Sequence, residues 1–390
     1  MSTNTPSIFL LDDAHTFGGA QIALGHAVRA LLESTALEVT LVTTAKTFAS
    51  LQEILGVDPR LRHIECAPAL PLNLFCFPLR LRSYWSLLGP LVRQNPNAYW
   101  VLNLSGIEFC LSALVTLRVK GVAPAAWLHN PELLSVFNEG SYGVRRLISR
   151  LRDLVADIFI FDCYRLIMTP SEATAIDTQN RARGGSRLAV HALYPTITGM
   201  SPTELAPVAD EASAADVSLW MIGRIDYGHK NNALALATLQ EFLRQGEAAT
   251  LTVVGDGPDR AHFLEEAERI QLGEHISFRG WQKDPWSSLP PEAVVMIPSH
   301  WEANCLVAIE ALLRGVKLVL SPIPAFTQVY PAEIVANSFS PEAFCAAIRT
   351  VRSLSHDQMR DLFAPAVAKF APAQFAEKFF ALVVCVDKRP

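Results

Sequence analysis

Two acids, Glu302 and Glu310, stand with seven residues between them in the stretch from 294 to 322. A carboxylate only accepts hydrogen bonds, so such a pair suits the neighbouring hydroxyls of a ribose or a hexose. Asn304 lies between them and is a good helix N-cap. If it caps, the amides of Cys305 and Leu306 point out of a helix end that attracts phosphate. Acids beside an anion-binding helix end suit a nucleotide-sugar. Two cations, Arg224 and Lys230, stand six residues apart across another turn, where they can clamp a pyrophosphate and stabilise it as it leaves, a task otherwise given to a metal ion. His129 follows the apolar run Ala125 to Leu128; a lone histidine is more often structural, so by itself it is only suggestive. The plain alternative for the acids is a solvated helix residue, Glu310, and an ordinary loop acid, Glu302.

The elements that must position these groups can be read from the apolar pattern. Val294 to Pro298 is an apolar run that breaks at a polar turn. A helix-like stretch runs from about Cys305 to Arg314, Gly315 suits the left-handed position just past its end, and a second run covers Val316 to Leu320. Strand, loop, helix and strand in that order form the repeating unit of a parallel sheet covered by helices. The same unit recurs. Ser7 to Leu11, Val39 to Thr44, Tyr99 to Leu104, Ala125 to Leu128 and Leu166 to Thr169 read as strands of a first half. Val217 to Ile222, Leu251 to Val254 and Ile276 to Phe278 continue a second. Gly18-Gly19 sit between the first strand and an apolar helical pattern, where paired glycines let a backbone or phosphate approach. Gly223 and Gly255-Asp256-Gly257 occupy matching turns in the second half, at the strand ends where open α/β sheets bind ligands. Asp12-Asp13 lack a third spaced carboxylate and read as a strand-end turn rather than a metal pair. Ser171 reads as a helix cap.

Composition sets the bounds. A chain of 390 residues predicts two domains, and half its residues are hydrophobic with 18% charged, enough for two cores. Mean hydropathy is slightly positive, without an uninterrupted membrane-length span. No basic, apolar leader opens the sequence, and seven scattered cysteines without a CxxC fit reduced thiols better than disulfides or zinc. The expected location is therefore cytoplasmic, with a peripheral place on the cytoplasmic membrane face open. Residues 1–200 carry a net charge of +2 and the remainder −7, within a total of −5. No nucleic-acid-binding motif accompanies that mild basicity. Residues 68–95 mix Leu, Phe, Tyr and Trp with Arg80, Arg82 and Arg93 and hold no acid. Two readings stand equal: contact with an anionic membrane surface or lipid-linked acceptor, and a buried hairpin with its arginines on the outer edge. Residues 144–154 read as a basic amphipathic helix. Residues 197–216 are the best linker, placing a first domain at 1–200, a linker at 201–216 and a second domain at 217–359.

Several motifs in order carry a resemblance: Gly18-Gly19-Ala20, Leu128-His129-Asn130, Pro170-Ser171-Glu172-Ala173, Gly223-Arg224 with Lys230-Asn231, Val254-Gly255-Asp256-Gly257-Pro258, Phe278-Arg279-Gly280, and Ser299 with Glu302 and Glu310-Ala311. Together they resemble the retaining, family-four glycosyltransferases (glycosyl transferases group 1) of GT-B fold. The resemblance implies an α/β fold of two Rossmann-like domains facing across a cleft, the second holding a nucleotide-diphosphate-sugar donor, with a helix at about 360–385 crossing back onto the first. It implies that Arg224 and Lys230 contact the diphosphate, Glu310 the ribose and Glu302 the transferred sugar. Amides of Ala303, Asn304, Cys305 and Leu306 touch sugar and phosphate, Gly19 and Gly223 flank the phosphates, and His129 lies near the reaction centre. The leaving phosphate accepts the acceptor's proton, so no metal or other cofactor is expected. The implied acceptor is a glycan or lipid-linked glycan, in cell-surface polysaccharide or lipopolysaccharide synthesis. The other readings are a nucleotide-sugar epimerase or hydrolase of the same architecture, and a non-catalytic partner subunit. Ala303-Asn304 stand where the family commonly has glycine and an aromatic, so the motif does not assign the donor sugar.

Overall fold

The computed structural model describes residues 6–14, 17–66, 77–106, 110–130, 161–182, 188–200 and 216–385. The basic helix expected at 144–154, most of the 201–216 linker and the start of the 68–95 stretch lie outside them. The chain forms two compact units, Met1–Gly199 with Phe370–Pro390, and Met200–Lys369.

Among the described residues, the first unit holds seven strands: β1 (Ser7–Asp12), β2 (Glu38–Thr43), β3 (Leu61–Glu65), β4 (Tyr99–Leu104), β5 (Ala125–Leu128), β6 (Leu166–Thr169) and β7 (Ala189–Ala192). All are parallel, in the order β3-β2-β1-β4-β5-β6-β7. Central strands such as β1 and β4 are apolar and buried along nearly their whole length, as strands covered on both faces must be. Phe9 of β1 pairs in register with Trp100 of β4, and their rings stack 4.3 Å apart. The apolar spacing in Gly19–Ser34 does form a helix, which buries Ala23, Leu24, Ala27, Val28 and Leu31. β3 and β7 escape the apolar pattern because these edge strands carry polar side chains open to solvent: Arg62 and His191 are exposed and His63 is half-buried.

The second unit holds β8 (Val217–Ile222), β9 (Ala249–Val254), β10 (Ile276–Gly280), β11 (Val294–Ile297) and β12 (Lys317–Leu320), parallel in the order β10-β9-β8-β11-β12. In both sheets the strand order reverses beside the first strand, at β1/β4 and at β8/β11. That reversal opens a crevice at the carboxyl ends, the ligand position of doubly wound sheets. Gly315 has φ 64, the left-handed turn expected after the helix Leu306–Leu313. Gly255 is more constrained still: at φ 149, a Cβ there would lie 1.8 Å from the Gly223 carbonyl oxygen. Gly257 would meet the Ile225 oxygen at 2.1 Å. The turns after β8 and β9 are thus packed backbone on backbone, and only glycine fits between them.

The return of the chain differs from expectation. His356–Lys369 belongs to the second unit, where it packs on Leu306–Leu313 and buries Met359, Phe363 and Ala366. The return begins at Phe370 rather than near 360. From there Pro372–Phe380 lies on Gly19–Ser34 and buries Phe375, Ala376 and Phe379. Among the described residues, no helix is long and apolar enough to cross a membrane.

Candidate functional site

At the β8/β11 crevice the two flanking turns bring their charges together. The turn after β8 runs Gly223-Arg224-Ile225-Asp226 into a single helical turn, Tyr227–Lys230. Asp226 caps it, its side chain accepting from the His229 amide at 3.0 Å. Asn231 then takes the left-handed conformation at φ 52, which asparagine tolerates better than most residues, and restarts the chain as the helix Asn232–Arg244. The buried Asn232 accepts from the Asp226 amide at 2.7 Å and so ties the turn to the helix. Lys230 is thereby directed at Glu302, in the loop after β11, with Nζ 2.5 Å from Oε1.

The buried Glu302 also accepts from Ser299 Oγ at 2.8 Å. His229 Nε2 lies 3.9 Å from its other oxygen. Burial alone would push the Glu302 carboxyl up, but Lys230, His229 and the hydrogen bonds hold it below its ordinary range. Burial likewise works against the Lys230 ammonium, and Glu302 more than restores it. The pair is ionised at neutral pH. Burial, with Lys230 adding to it, lowers His229, which stays neutral and accepts from Arg224 Nη2 at 3.3 Å through Nδ1. Arg224 itself is 56% exposed and reaches its own Asp226 only at 3.5 Å. The edge therefore carries one neutralised, part-buried pair and one cation open to solvent.

The helix after Glu302 begins at Leu306, and Cys305 occupies the cap position. Asn304 stands one residue too early to cap, which corrects the expected N-terminus. The amides that leave the helix end are consequently those from Leu306 onward, and Ala303 and Cys305 are buried behind them. Burial pushes the Cys305 thiol up to about 12, with Glu302 adding to it, so it is an uncharged packing residue. Glu310, one turn further on, is half-buried and accepts from Trp286 Nε1 at 2.6 Å. Burial raises its pKa, against the pull of Trp286 and Arg314. Trp286 had no signal in the sequence, since it reaches Glu310 from a loop 24 residues upstream.

In the first unit, the β1/β4 crevice holds a separate polar cluster. Asp12, buried at the end of β1, accepts from Asn103 Nδ2 at 2.5 Å, from Gln21 Nε2 at 3.0 Å and from the Ala14 amide at 3.0 Å. Asn103 Oδ1 lies 2.8 Å from His129 Nε2. The amide's nitrogen is spent on a carboxylate, so its oxygen faces the histidine, which must donate from Nε2 and keep its lone pair on Nδ1. Burial drops the His129 pKa to about 3, leaving the ring neutral. Gln21 also holds Ser105 at 3.0 Å and the Gly18 amide at 3.0 Å, fixing Gly18 and Gly19 at the start of the first helix. The neighbouring Asp13 is buried with Arg80, Tyr84 Oη at 2.9 Å and the Cys110 amide at 2.9 Å. Asp12 and Asp13 thus face different partner sets, as a strand-end turn requires.

Arg80 corrects the hairpin reading of 68–95. It is 4% exposed on the helix Phe77–Gln94, not at an outer edge, because Asp13 is its partner. The opposite face of that helix exposes Leu79, Arg82 and Trp85. Asn103, Gln21 and Ser105 escape a motif search; the signal available was a single amide inside an otherwise apolar strand.

Residues 216–353 match the family model described as glycosyl transferases group 1. Over that span the second unit is similar to the group 1 glycosyltransferases. Over 141 residues it is 27% identical to glycogen synthase of Mycobacterium tuberculosis, an alignment that covers 36% of this chain and about a third (34%) of that relative. The fold of the whole chain is that of the GT-B glycosyltransferases. The lipopolysaccharide outer core galactosyltransferase WaaB superposes over 98% of this chain and 100% of its own, with TM-score 0.68 and 13% identity. Anabaena HepE, solved with UDP and glucose, superposes over 96% and 98%, with TM-score 0.66 and 13% identity. Of the group 1 motif positions, the domain brings Arg224, Lys230 and Glu302 to one crevice. Glu310 stands on the helix that leaves it, and His129 and Gly19 lie in the first unit.

Proposed function

We propose that this protein is a retaining glycosyltransferase that moves a sugar from a nucleotide-diphosphate donor to a glycan or lipid-linked glycan, in cell-surface polysaccharide or lipopolysaccharide synthesis. The observation that carries the reading is the Lys230–Glu302 pair at the β8/β11 reversal with the exposed Arg224 beside it. A diphosphate entering that edge meets Arg224, Lys230 and the amides from Leu306 onward. All are donors, and their charge opposes that of the leaving group. Glu302 accepts hydroxyls of the transferred sugar, Glu310 those of the ribose, and Gly19, Gly223 and His129 take the places the family resemblance gives them. Because the cations supply the neutralisation, we infer that no metal is required. HepE, with its UDP, makes a uridine nucleotide the first donor to try. The working location is the cytoplasm, with a membrane-peripheral state carried by the exposed face of Phe77–Gln94.

A thermal-shift screen against UDP-, GDP-, ADP- and CMP-linked sugars tests the donor reading, because a ligand that binds only the folded state raises Tm. One nucleotide class should stabilise the protein, and Lys230→Ala and Glu310→Ala should abolish the shift. Transfer to acceptor should then survive excess chelator and keep the donor's anomeric configuration. No shift with any donor would reject the reading, and release of sugar without an acceptor would replace it with a hydrolase.

A further inference from the structure

Trp286 touches a motif carboxylate of the second unit, Glu310, in an unusual way. Its indole Nε1 donates to Glu310 Oε2 at 2.6 Å, while the Arg314 guanidinium lies over its ring, 4.8 Å from the centroid. Glu310 and Arg314 are four apart, on the same side of the Leu306–Leu313 helix and its C-terminal residue. The indole is thus held twice by one helix face, by edge and by face. Its own backbone is fixed as well, because the Trp286 amide donates to Asp284 Oδ1 at 3.1 Å and starts the short turn Trp286–Ser288.

The consequence for Glu310 is geometric. A carboxylate on a flexible side chain has two equivalent oxygens; here one is committed to the indole. Among the described residues, Oε1 accepts no hydrogen bond, so a single oxygen is presented in a single orientation. An acceptor-only oxygen held that way discriminates a hydroxyl from its absence far better than a mobile one, because the ordering is already done. Arg314 contributes twice, by stacking on the ring that holds Glu310 and by favouring the ionised carboxylate.

We propose that Trp286 is a positioning and specificity residue: it orients Glu310 so that the site selects the ribose of the donor over a deoxyribose. This rests on the donor reading above, but it is separable from it. Wild type, Trp286→Phe and Glu310→Gln are titrated calorimetrically with UDP, GDP, ADP and CDP and with their 2′-deoxy counterparts. Wild type should prefer the ribonucleotide of its own base about tenfold. Trp286→Phe keeps a ring beneath Arg314 and removes only the donor; it should weaken the ribonucleotide about tenfold and change the deoxynucleotide less than about twofold. Glu310→Gln should erase the preference in the same way. Loss of the indole donor also lets Glu310 rise further, so affinity should fall at a higher pH in Trp286→Phe than in wild type as the solution is acidified.

A Trp286→Phe protein that retains the ribose preference, or that loses ribo- and deoxy-forms equally with an unchanged pH profile, overturns the proposal. If wild type binds none of the eight nucleotides, the donor reading itself fails, and this inference falls with it.

Discussion

Lys230 and Glu302 are 72 residues apart in the chain, and at the site they are a single unit. Two ionised groups removed from water cost several kcal/mol each, and the cost is recovered only while both are present. Lys230→Met should therefore cost about 2–4 kcal/mol of stability, since it strands a buried carboxylate, and Glu302→Gln a comparable amount. The double variant should be less damaged than the sum of the singles, with a coupling energy of about 1–3 kcal/mol from urea unfolding. The pH dependence follows from the shifts. Glu302 is depressed below 4.5, so its stabilisation is complete above that value and is lost as pH falls through the folded pKa. Lys230 is raised above 10.5, so its share is complete below that value and is lost as pH rises beyond it. The coupling should be flat between about pH 5 and pH 10 and collapse on the acid side. Additive single effects would show that the two charges do not depend on one another. Glu302 is legible in the sequence as one of two spaced acids and Lys230 as one of two cations across a turn. Their mutual neutralisation is not, because sequence spacing says nothing of a contact across two turns.

At the scale of elements, apolar periodicity locates every central strand, because a parallel strand buried on both faces leaves a continuous apolar run. It fails at the edges of the first sheet, where β3 and β7 carry Arg62, His63 and His191, and it cannot choose between partners for a helix. The last helices show this. His356–Lys369 and Pro372–Phe380 are separated by a few residues and both are amphipathic, yet they serve different units. Pro372–Phe380 sits on Gly19–Ser34, the helix that presents Gly19, and Phe375 lies 5.5 Å from the Trp127 ring, itself 4.4 Å from His129. The chain around it is pinned by Thr196 Oγ1 to the Phe370 carbonyl at 2.6 Å and by Arg165 Nη2 to the Val383 carbonyl at 2.7 Å. Among the described residues, ending the chain after Lys369 removes five buried side chains from the first unit, Phe370, Phe375, Ala376, Phe379 and Val383, and none from the second. Hydrogen exchange should then lose protection in Gly19–Ser34 and in β5, while Asn232–Arg244 and Pro341–Ser353 keep theirs. Loss of protection in the second unit instead would mean that the C-terminal helix supports that unit.

For the molecule as a whole, a net charge of −5 opposes approach to an anionic bilayer, so membrane association must depend on a local patch. The helix Phe77–Gln94 offers one. Its inward side is committed by Arg80 to Asp13 and by Tyr84 and Leu88 to the core, which leaves its outward side without a task inside the unit. Leu79 and Trp85 are 56% and 44% exposed there, Arg82 lies between them, and Lys120 Nζ stands 3.6 Å from the Trp85 ring centroid. An indole with a cation at its face, beside a second cation, fits the boundary between headgroup and acyl chain. The acid-free composition of 68–95 is what makes this face legible in the sequence, although the same composition hid the inward role of Arg80. Sedimentation with phosphatidylglycerol vesicles should carry the protein down at low salt and release it as salt rises. Phosphatidylcholine vesicles should leave it in solution. Leu79→Ser with Trp85→Ser should weaken binding at least tenfold while leaving nucleotide-induced stabilisation intact, since neither side chain lies at the β8/β11 crevice. If the double variant sediments as well as wild type, the docking face is elsewhere. If wild type stays in the supernatant at every salt concentration, the proposed membrane-peripheral state is rejected, and the exposed tryptophan is an ordinary surface residue.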